Sequence, residues 1–123
     1  MKPAFPITAA LLALAIAAPA HAAGDPVAGK AVFGKCSICH SVAAGKNVIG
    51  PSLFGVVGRK SASEPGFYYS DAMKKADKTW DAATLDSYLT NPKAMVPGTK
   101  MVFPGLPKPE DRANLIAYLE TLK

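Results

Sequence analysis

The alternation of apolar and polar positions predicts a small helical protein. Four segments repeat apolar residues at helical spacing: about 26 into the cysteine pair, 70–76, 81–90, and about 109 to the end. Asp25-Pro26 is typical of an N-cap followed by a proline in the first turn. The last segment places Leu115, Tyr118, Leu119 and Leu122 on one face. Because no run alternates with the period of two that a strand requires, we expect an all-α fold.

Long segments between these helices lack any regular period. Glycines and prolines interrupt residues 41–66, and residues 92–109 hold five prolines and two glycines, so both segments are predicted to be ordered coil. Loops in a compact domain must satisfy their backbone polar groups and offset their entropy. Their length therefore favours a large apolar cofactor around which the chain wraps.

The N-terminal residues have the layout of a secretory signal peptide. They carry an early lysine, an apolar run from Ile7 to Ala18 and the small-residue ending Ala20-His21-Ala22. The run is about a dozen residues long, short of the roughly 20 that a membrane anchor needs. We expect a signal peptide over residues 1–22, cleavage after Ala22, and one domain over residues 23–123 that is exported to the periplasm without a membrane span.

Composition and charge narrow the function classes. The chain carries a formal net charge of +5, and removal of Lys2 with the signal peptide leaves +4. This charge is modest and scattered on an exported protein, which argues against nucleic-acid binding. A domain of about 100 residues buries a small fraction of its surface, so a stabilising metal or cofactor is expected.

The decisive motif is Cys36-Ser37-Ile38-Cys39-His40, a C-x-x-C-H sequence typical of c-type haem attachment. On a helical turn, positions three and four apart share a face, so both thiols and the imidazole can converge on one flat ligand. The thiols would form thioethers with the haem vinyl groups, and neutral His40 would offer a ring nitrogen to the iron.

The same residues are compatible with other chemistries. A Cys36–Cys39 disulfide would suit a thiol-disulfide oxidoreductase, but that function needs a strand-rich fold. A zinc site would need further soft ligands, and the chain after residue 22 has no other cysteine or histidine. His40 as a plain structural residue is disfavoured by its position beside Cys39.

Methionine is the expected second axial ligand, and the domain offers Met73, Met95 and Met101. Met101 is favoured because it follows the turn-forming residues Pro97-Gly98-Thr99-Lys100, which can fold over a haem face. Of the other two methionines, Met95 is the stronger alternative for the second axial ligand. For Met73 and Met95, ordinary core packing is the preferred interpretation.

With these motifs the chain resembles the class I c-type cytochromes of the mitochondrial and bacterial periplasmic type. The matching residues run from Gly29 and Phe33 through the C-x-x-C-H motif, Gly50-Pro51-Ser52-Leu53, Gly58-Arg59-Lys60, Gly66-Phe67, Trp80, Tyr88-Leu89-Thr90-Asn91-Pro92 and Pro97-Gly98-Thr99-Lys100-Met101 to Leu115-Ile116-Ala117-Tyr118-Leu119. The resemblance implies the cytochrome c fold, with three to five helices and long loops around one covalently bound haem c.

The resemblance also implies individual roles. Met101 would be the distal ligand, and the Pro51 carbonyl would accept a hydrogen bond from His40. Tyr88 and Thr99 would lie beside the Met101 sulfur. The residues expected near the haem propionates are Arg59, Tyr69 and Trp80. Gly29 and Phe33 would pack on Leu115 and Tyr118, and Met73 stands where many relatives have a polar residue near a propionate.

The implied function is one-electron transfer rather than catalysis, because two strong ligands leave no open position on the iron. The carrier would connect a quinol-oxidising cytochrome complex or a dehydrogenase with a terminal acceptor, either an oxidase or a photosynthetic reaction centre. An enzymatic or gas-sensing haem protein would require Met101 to dissociate. Acidic redox partners would dock at a haem edge framed by lysines, and a monomer is expected. These lysines are Lys35, Lys46, Lys93, Lys100 and Lys108.

Overall fold

The computed structural model describes residues 1–4, 6, 13 and 24–123. The predicted signal peptide over residues 1–22 lies almost entirely outside this described part and stays a prediction. Among the described residues, no helix has the length and apolar character needed to cross a membrane.

Residues 24–123 form five helices. They are α1 (Pro26–Phe33), α2 (Asp71–Ala76), α3 (Ala82–Thr90), α4 (Pro92–Met95) and α5 (Pro109–Glu120). Residues 24–123 contain no strand, only one isolated antiparallel bridge between Lys60 and Thr79. The all-α class predicted from the sequence is confirmed.

Side-chain caps explain where three of these helices begin. Asp25, Ser70 and Asp81 each accept a backbone N–H of the first turn, in α1, α2 and α3 respectively. Each such cap satisfies a donor that the helix itself cannot pair, a contribution of about 1 kcal/mol. The predicted segments 70–76 and 81–90 therefore appear as helices with bounds within one residue of the prediction.

Helix α1 is shorter than predicted, because it ends at Phe33 instead of continuing into the cysteine pair. The chain then passes through hydrogen-bonded turns in which the Cys36 N–H donates to the Phe33 carbonyl at 2.7 Å. These turns take the place of the predicted last turn of the helix, and their hydrogen bonds still join residues three or four positions apart.

The prediction that residues 92–109 are entirely coil was wrong, since α4 occupies Pro92–Met95. The Asn91 side chain accepts the Ala94 N–H at 3.3 Å, and Pro92 occupies the first turn. A proline there loses no hydrogen bond and has a backbone angle suited to a helix. Asn91-Pro92 thus ends α3 and also begins α4.

The crossing of α1 and α5 brings the two ends of the domain together. Gly29 is buried against α5, where a Cβ atom would collide with the Asn114 carbonyl and lie 2.9 Å from the Tyr118 Cβ. The Phe33 and Tyr118 rings pack with centroids 5.4 Å apart. The predicted packing of Gly29 and Phe33 against Tyr118 is confirmed.

The long loops are ordered by hydrogen bonds to the helical frame. The Leu106 N–H donates to the Leu89 carbonyl at 2.7 Å, and the Trp80 N–H donates to the Arg59 carbonyl at 2.9 Å. Val96 and Leu106 are each only 1% exposed. Loop residues therefore form part of the core together with α3 and α5.

Candidate haem-binding site

The cysteine and histidine side chains lie in consecutive turns directly after α1. The Cys39 N–H donates to the Cys36 carbonyl at 3.1 Å, and the His40 N–H donates to the same carbonyl at 2.9 Å. These are the three- and four-residue spacings of helical turns, at which side chains share a face. The structure thus brings Cys36, Cys39 and His40 together, and both thiols are free.

The thiol environment does not suit disulfide exchange. Burial raises the pKa of Cys36, and the neighbouring Cys39 raises it further, against a smaller lowering by Lys35. A redox-active thiol needs a depressed pKa to form its thiolate. The described residues also lack the strands of a redox fold. A thiol oxidoreductase needs both a lowered thiol pKa and such a fold, and the described part of the chain has neither.

His40 is held on two sides by residues 50 and 51. Its Nδ1 lies 2.7 Å from the Pro51 carbonyl oxygen. A carbonyl can only accept, so Nδ1 carries the proton and Nε2 of the neutral ring keeps its lone pair. The Gly50 backbone lies against the imidazole so closely that a Cβ atom at this position would overlap the ring.

The surroundings keep this imidazole neutral. Burial lowers the pKa of His40 below its ordinary value, and the positive charge of Arg59 lowers it further, while the hydrogen bond to Pro51 opposes both. A histidine whose pKa is lowered is uncharged at neutral pH and can act as a metal ligand through its free nitrogen.

Met101 has a hydroxyl group beside its sulfur. The Tyr88 hydroxyl lies 3.6 Å from the Met101 Sδ and donates to it, and Thr99 Oγ1 accepts the Met101 N–H at 3.2 Å. Burial raises the pKa of Tyr88, which keeps this hydroxyl protonated. The Trp80 ring packs on Tyr88 with centroids 4.8 Å apart. The structure thus brings together Tyr88, Thr99 and Met101.

The other two methionines have different surroundings. Met73 and Met95 are half-buried and pack against the hydrophobic core. No hydroxyl in the described part of the chain donates to either sulfur, in contrast to Met101.

Arg59 and Tyr69 meet around an acidic residue that the sequence analysis missed. Arg59 Nη1 lies 2.9 Å from Glu64 Oε2, and Nη2 donates to the Ser52 carbonyl at 3.0 Å. The Tyr69 hydroxyl accepts the Glu64 backbone N–H at 3.1 Å. Arg59 Nε is buried and has no hydrogen-bond partner among the described residues. Trp80 contacts this group through its backbone, because its N–H donates to the Arg59 carbonyl.

The sequence contains only a weak indication that Glu64 pairs with Arg59. An acidic residue five positions after Arg59 lies within ion-pairing reach, but a loop acid is exposed by default. Its burial follows from the tertiary path of residues 59–69, which no local pattern encodes.

The lysines singled out in the sequence are all exposed. They lie after α1, in the loop that follows the C-x-x-C-H motif, in α4, next to Met101 and at the start of α5, as Lys35, Lys46, Lys93, Lys100 and Lys108 respectively.

Proteins similar in sequence to this chain include several bacterial cytochromes. A family model described as "Cytochrome c" matches residues 26–123. The cytochrome c2 of Rhodomicrobium vannielii is 60% identical over 110 residues, covering 89% of this chain and 88% of its own. The cytochrome c2 of Rhodoblastus acidophilus is 55% identical over 102 residues, covering 82% and 95%.

A solved structure has the same fold. Cytochrome cH from Methylobacterium extorquens superposes with a TM-score of 0.76 and 48% sequence identity, over 80% of this chain and 99% of its own. Its likeness confirms the cytochrome c fold that the sequence predicted. The chain therefore belongs to the cytochrome c family as a class I c-type cytochrome, an electron carrier with one covalently attached haem c.

Proposed function

We propose that this protein is a one-electron carrier whose haem is attached to Cys36 and Cys39, with His40 and Met101 as the axial ligands. The observation that carries the proposal is the 2.7 Å hydrogen bond from His40 Nδ1 to the Pro51 carbonyl, which leaves Nε2 free to bind iron. Burial and the Arg59 charge keep the imidazole neutral, as a ligand must be.

The residues present fit a haem c group. Two free thiols lie three positions apart in a helical turn, as attachment to two vinyl groups requires. The buried Nε of Arg59 lacks a partner among the described residues, and a propionate carboxylate would supply the acceptor. Tyr69 is hydrogen-bonded to the same loop, so both residues are suited to the predicted propionate role.

When bound, the haem supplies exchange of one electron between its ferric and ferrous states. The chain holds the two ligand side chains in fixed positions, so that little rearrangement accompanies the exchange. His40 is fixed by Gly50 and Pro51, and Met101 by Thr99 and Tyr88. A donor to the sulfur draws electron density from the ligand and thereby favours the ferrous state. Ligation of the iron by both His40 and Met101 would leave no position for a substrate, so we expect no enzymatic activity.

The proposed setting is the periplasm, with residues 1–22 as the removed signal peptide and residues 23–123 as a monomeric domain. The carrier would take electrons from a quinol-oxidising cytochrome complex or a dehydrogenase and pass them to an oxidase or a photosynthetic reaction centre. The likeness to the two bacterial cytochromes c2 supports this role.

An absorption spectrum of the exported protein tests the proposal most directly. We expect the haem to stay with the chain after acid acetone, sharp bands on reduction with dithionite, and a weak deep-red sulfur-to-iron band in the ferric form. A colourless protein with a titratable Cys36–Cys39 disulfide would contradict the proposal and favour a thiol oxidoreductase.

Replacing the proposed distal ligand tests whether Met101, rather than Met73 or Met95, binds the iron. Met101→Ala should lower the reduction potential by on the order of 0.1 V and allow carbon monoxide to bind the ferrous iron, because loss of the sulfur removes a ligand that favours this state. The matched controls Met73→Ala and Met95→Ala should keep the sulfur-to-iron band. If a control loses the band while Met101→Ala keeps it, the ligand role belongs to that control residue.

A second substitution tests the clamp on His40. Gly50→Ala places a methyl group against the imidazole, so we expect a displaced ring, a smaller fraction of six-coordinate haem, and a free energy of unfolding lower by about 1–3 kcal/mol. Gly34→Ala is the control, because Gly34 has a helical backbone and its Cβ would meet only the Ala31 carbonyl, at 3.1 Å. A native spectrum and unchanged stability in Gly50→Ala would show that the clamp is dispensable.

The lysine-framed docking surface is tested with a small anion. Oxidation of the reduced protein by hexacyanoferrate(III) should slow by about two- to fivefold in Lys100→Glu at low ionic strength, and the difference should vanish at high salt. Lys123→Glu makes the same charge change at the exposed chain end and is the control. Equal slowing in both variants would mean that only the net charge matters.

A further inference from the structure

The ion pair between Arg59 and Glu64 is largely buried, unlike the pair closest to it in sequence. Its atoms are 2.9 Å apart, and the two side chains are 15% and 10% exposed. The pair between Lys60 and Asp77 has a similar separation of 3.0 Å, but its side chains are 65% and 79% exposed. Solvent therefore screens the charges of the second pair strongly and those of the first pair weakly.

The guanidinium of Arg59 is fixed on three sides. Its Nη1 contacts Glu64 and donates to the Phe54 carbonyl at 3.3 Å, while Nη2 donates to the Ser52 carbonyl at 3.0 Å. Glu64 is itself held in place, because its backbone N–H donates to the Tyr69 hydroxyl. The one side-chain nitrogen of Arg59 without a hydrogen-bond partner in the described part of the chain is the buried Nε.

The field of Arg59 reaches the proposed iron ligand. Arg59 Nη2 donates to the Ser52 carbonyl at 3.0 Å, and Ser52 directly follows Pro51, whose carbonyl accepts the hydrogen bond from His40 Nδ1 at 2.7 Å. A buried cation at this position therefore acts on any charge that develops at the metal.

We propose that Glu64 is a positioning residue that lowers the reduction potential by holding Arg59 in place and neutralising its charge. This inference rests on the proposed function. Ferric haem carries one more positive charge than ferrous haem, so an uncompensated guanidinium nearby disfavours the ferric state. The Glu64 carboxylate cancels most of that field while the Nε–H stays directed by the remaining contacts.

Neutralising Glu64 should shift the haem toward the ferrous state. In Glu64→Gln we expect the equilibrium constant for electron exchange with a reference mediator to change by about three- to tenfold in favour of reduction, where tenfold corresponds to 59 mV for one electron. Asp77→Asn makes the same charge change in the exposed pair and should shift the constant by less than about twofold. An equal shift in the two variants would overturn the proposal.

Two further variants separate charge from structure. Glu64→Asp keeps the charge and should stay near the wild-type potential even where its melting temperature falls. A shift as large as that of Glu64→Gln would contradict the proposal.

Arg59→Gln alone should lower the reduction potential and so favour the ferric state. The potential of the double variant Arg59→Gln, Glu64→Gln should lie closer to that of the wild type than the potential of either single variant. A double variant that keeps the full shift of Glu64→Gln would also overturn it.

The same samples distinguish this inference from the proposed function. Wild-type protein that keeps covalent haem and its sulfur-to-iron band, together with an unshifted Glu64→Gln potential, rejects only the role of Glu64. Loss of that band in the wild type would instead reject the proposed ligands.

Discussion

Helices α1 and α5 cross at Gly29, where the absence of a side chain lets the two backbones approach. The rings of Phe33 and Tyr118, which pack at a tilt of 54°, continue the contact to the end of α1. Because the Cys36 N–H bonds to the Phe33 carbonyl, the haem-attachment motif starts from a point that this crossing has already fixed. The loop beyond the motif then folds back onto it, since the Gly50 N–H donates to the Cys39 carbonyl at 2.7 Å. The position of His40 thus depends on a helix contact in which it takes no part.

The two proposed axial ligands are positioned by different means. His40 lies in a turn that is close to helical, and local backbone hydrogen bonds set its place before the Pro51 carbonyl selects its tautomer. Met101 lies in a loop, and its place depends on Thr99 and on Tyr88 from α3. A fixed imidazole and a fixed sulfur both reduce the rearrangement that accompanies electron exchange, but only the sulfur accepts a hydrogen bond from a side chain of a separate helix.

These differences explain what could be predicted from the sequence. The helices with an N-cap and a periodic apolar face were predictable, as was the C-x-x-C-H motif, because covalent attachment demands its spacing. The end of α1 and the existence of α4 were not, since both depend on how turns continue or restart a helix. Among the methionines, residue type and half-burial are the same, and the Tyr88 hydroxyl that distinguishes Met101 comes from a separate helix. Glu64 was missed because loop acids are normally exposed and only the folded loop buries it.

Burial divides the charges of this protein into two groups with different effects. The exposed lysines act through solvent, so their field is screened within about 10 Å at moderate salt and influences the rate of encounter with a partner. The charges of Arg59 and Glu64 are shielded from solvent, so their field acts inside the domain and persists when salt rises. A carrier needs a cationic surface to attract acidic partners, yet the same cationic character at the haem would raise its affinity for electrons. Placing a carboxylate beside the buried guanidinium, and none beside Lys100 within ion-pairing distance in the described chain, allows docking and potential to vary independently.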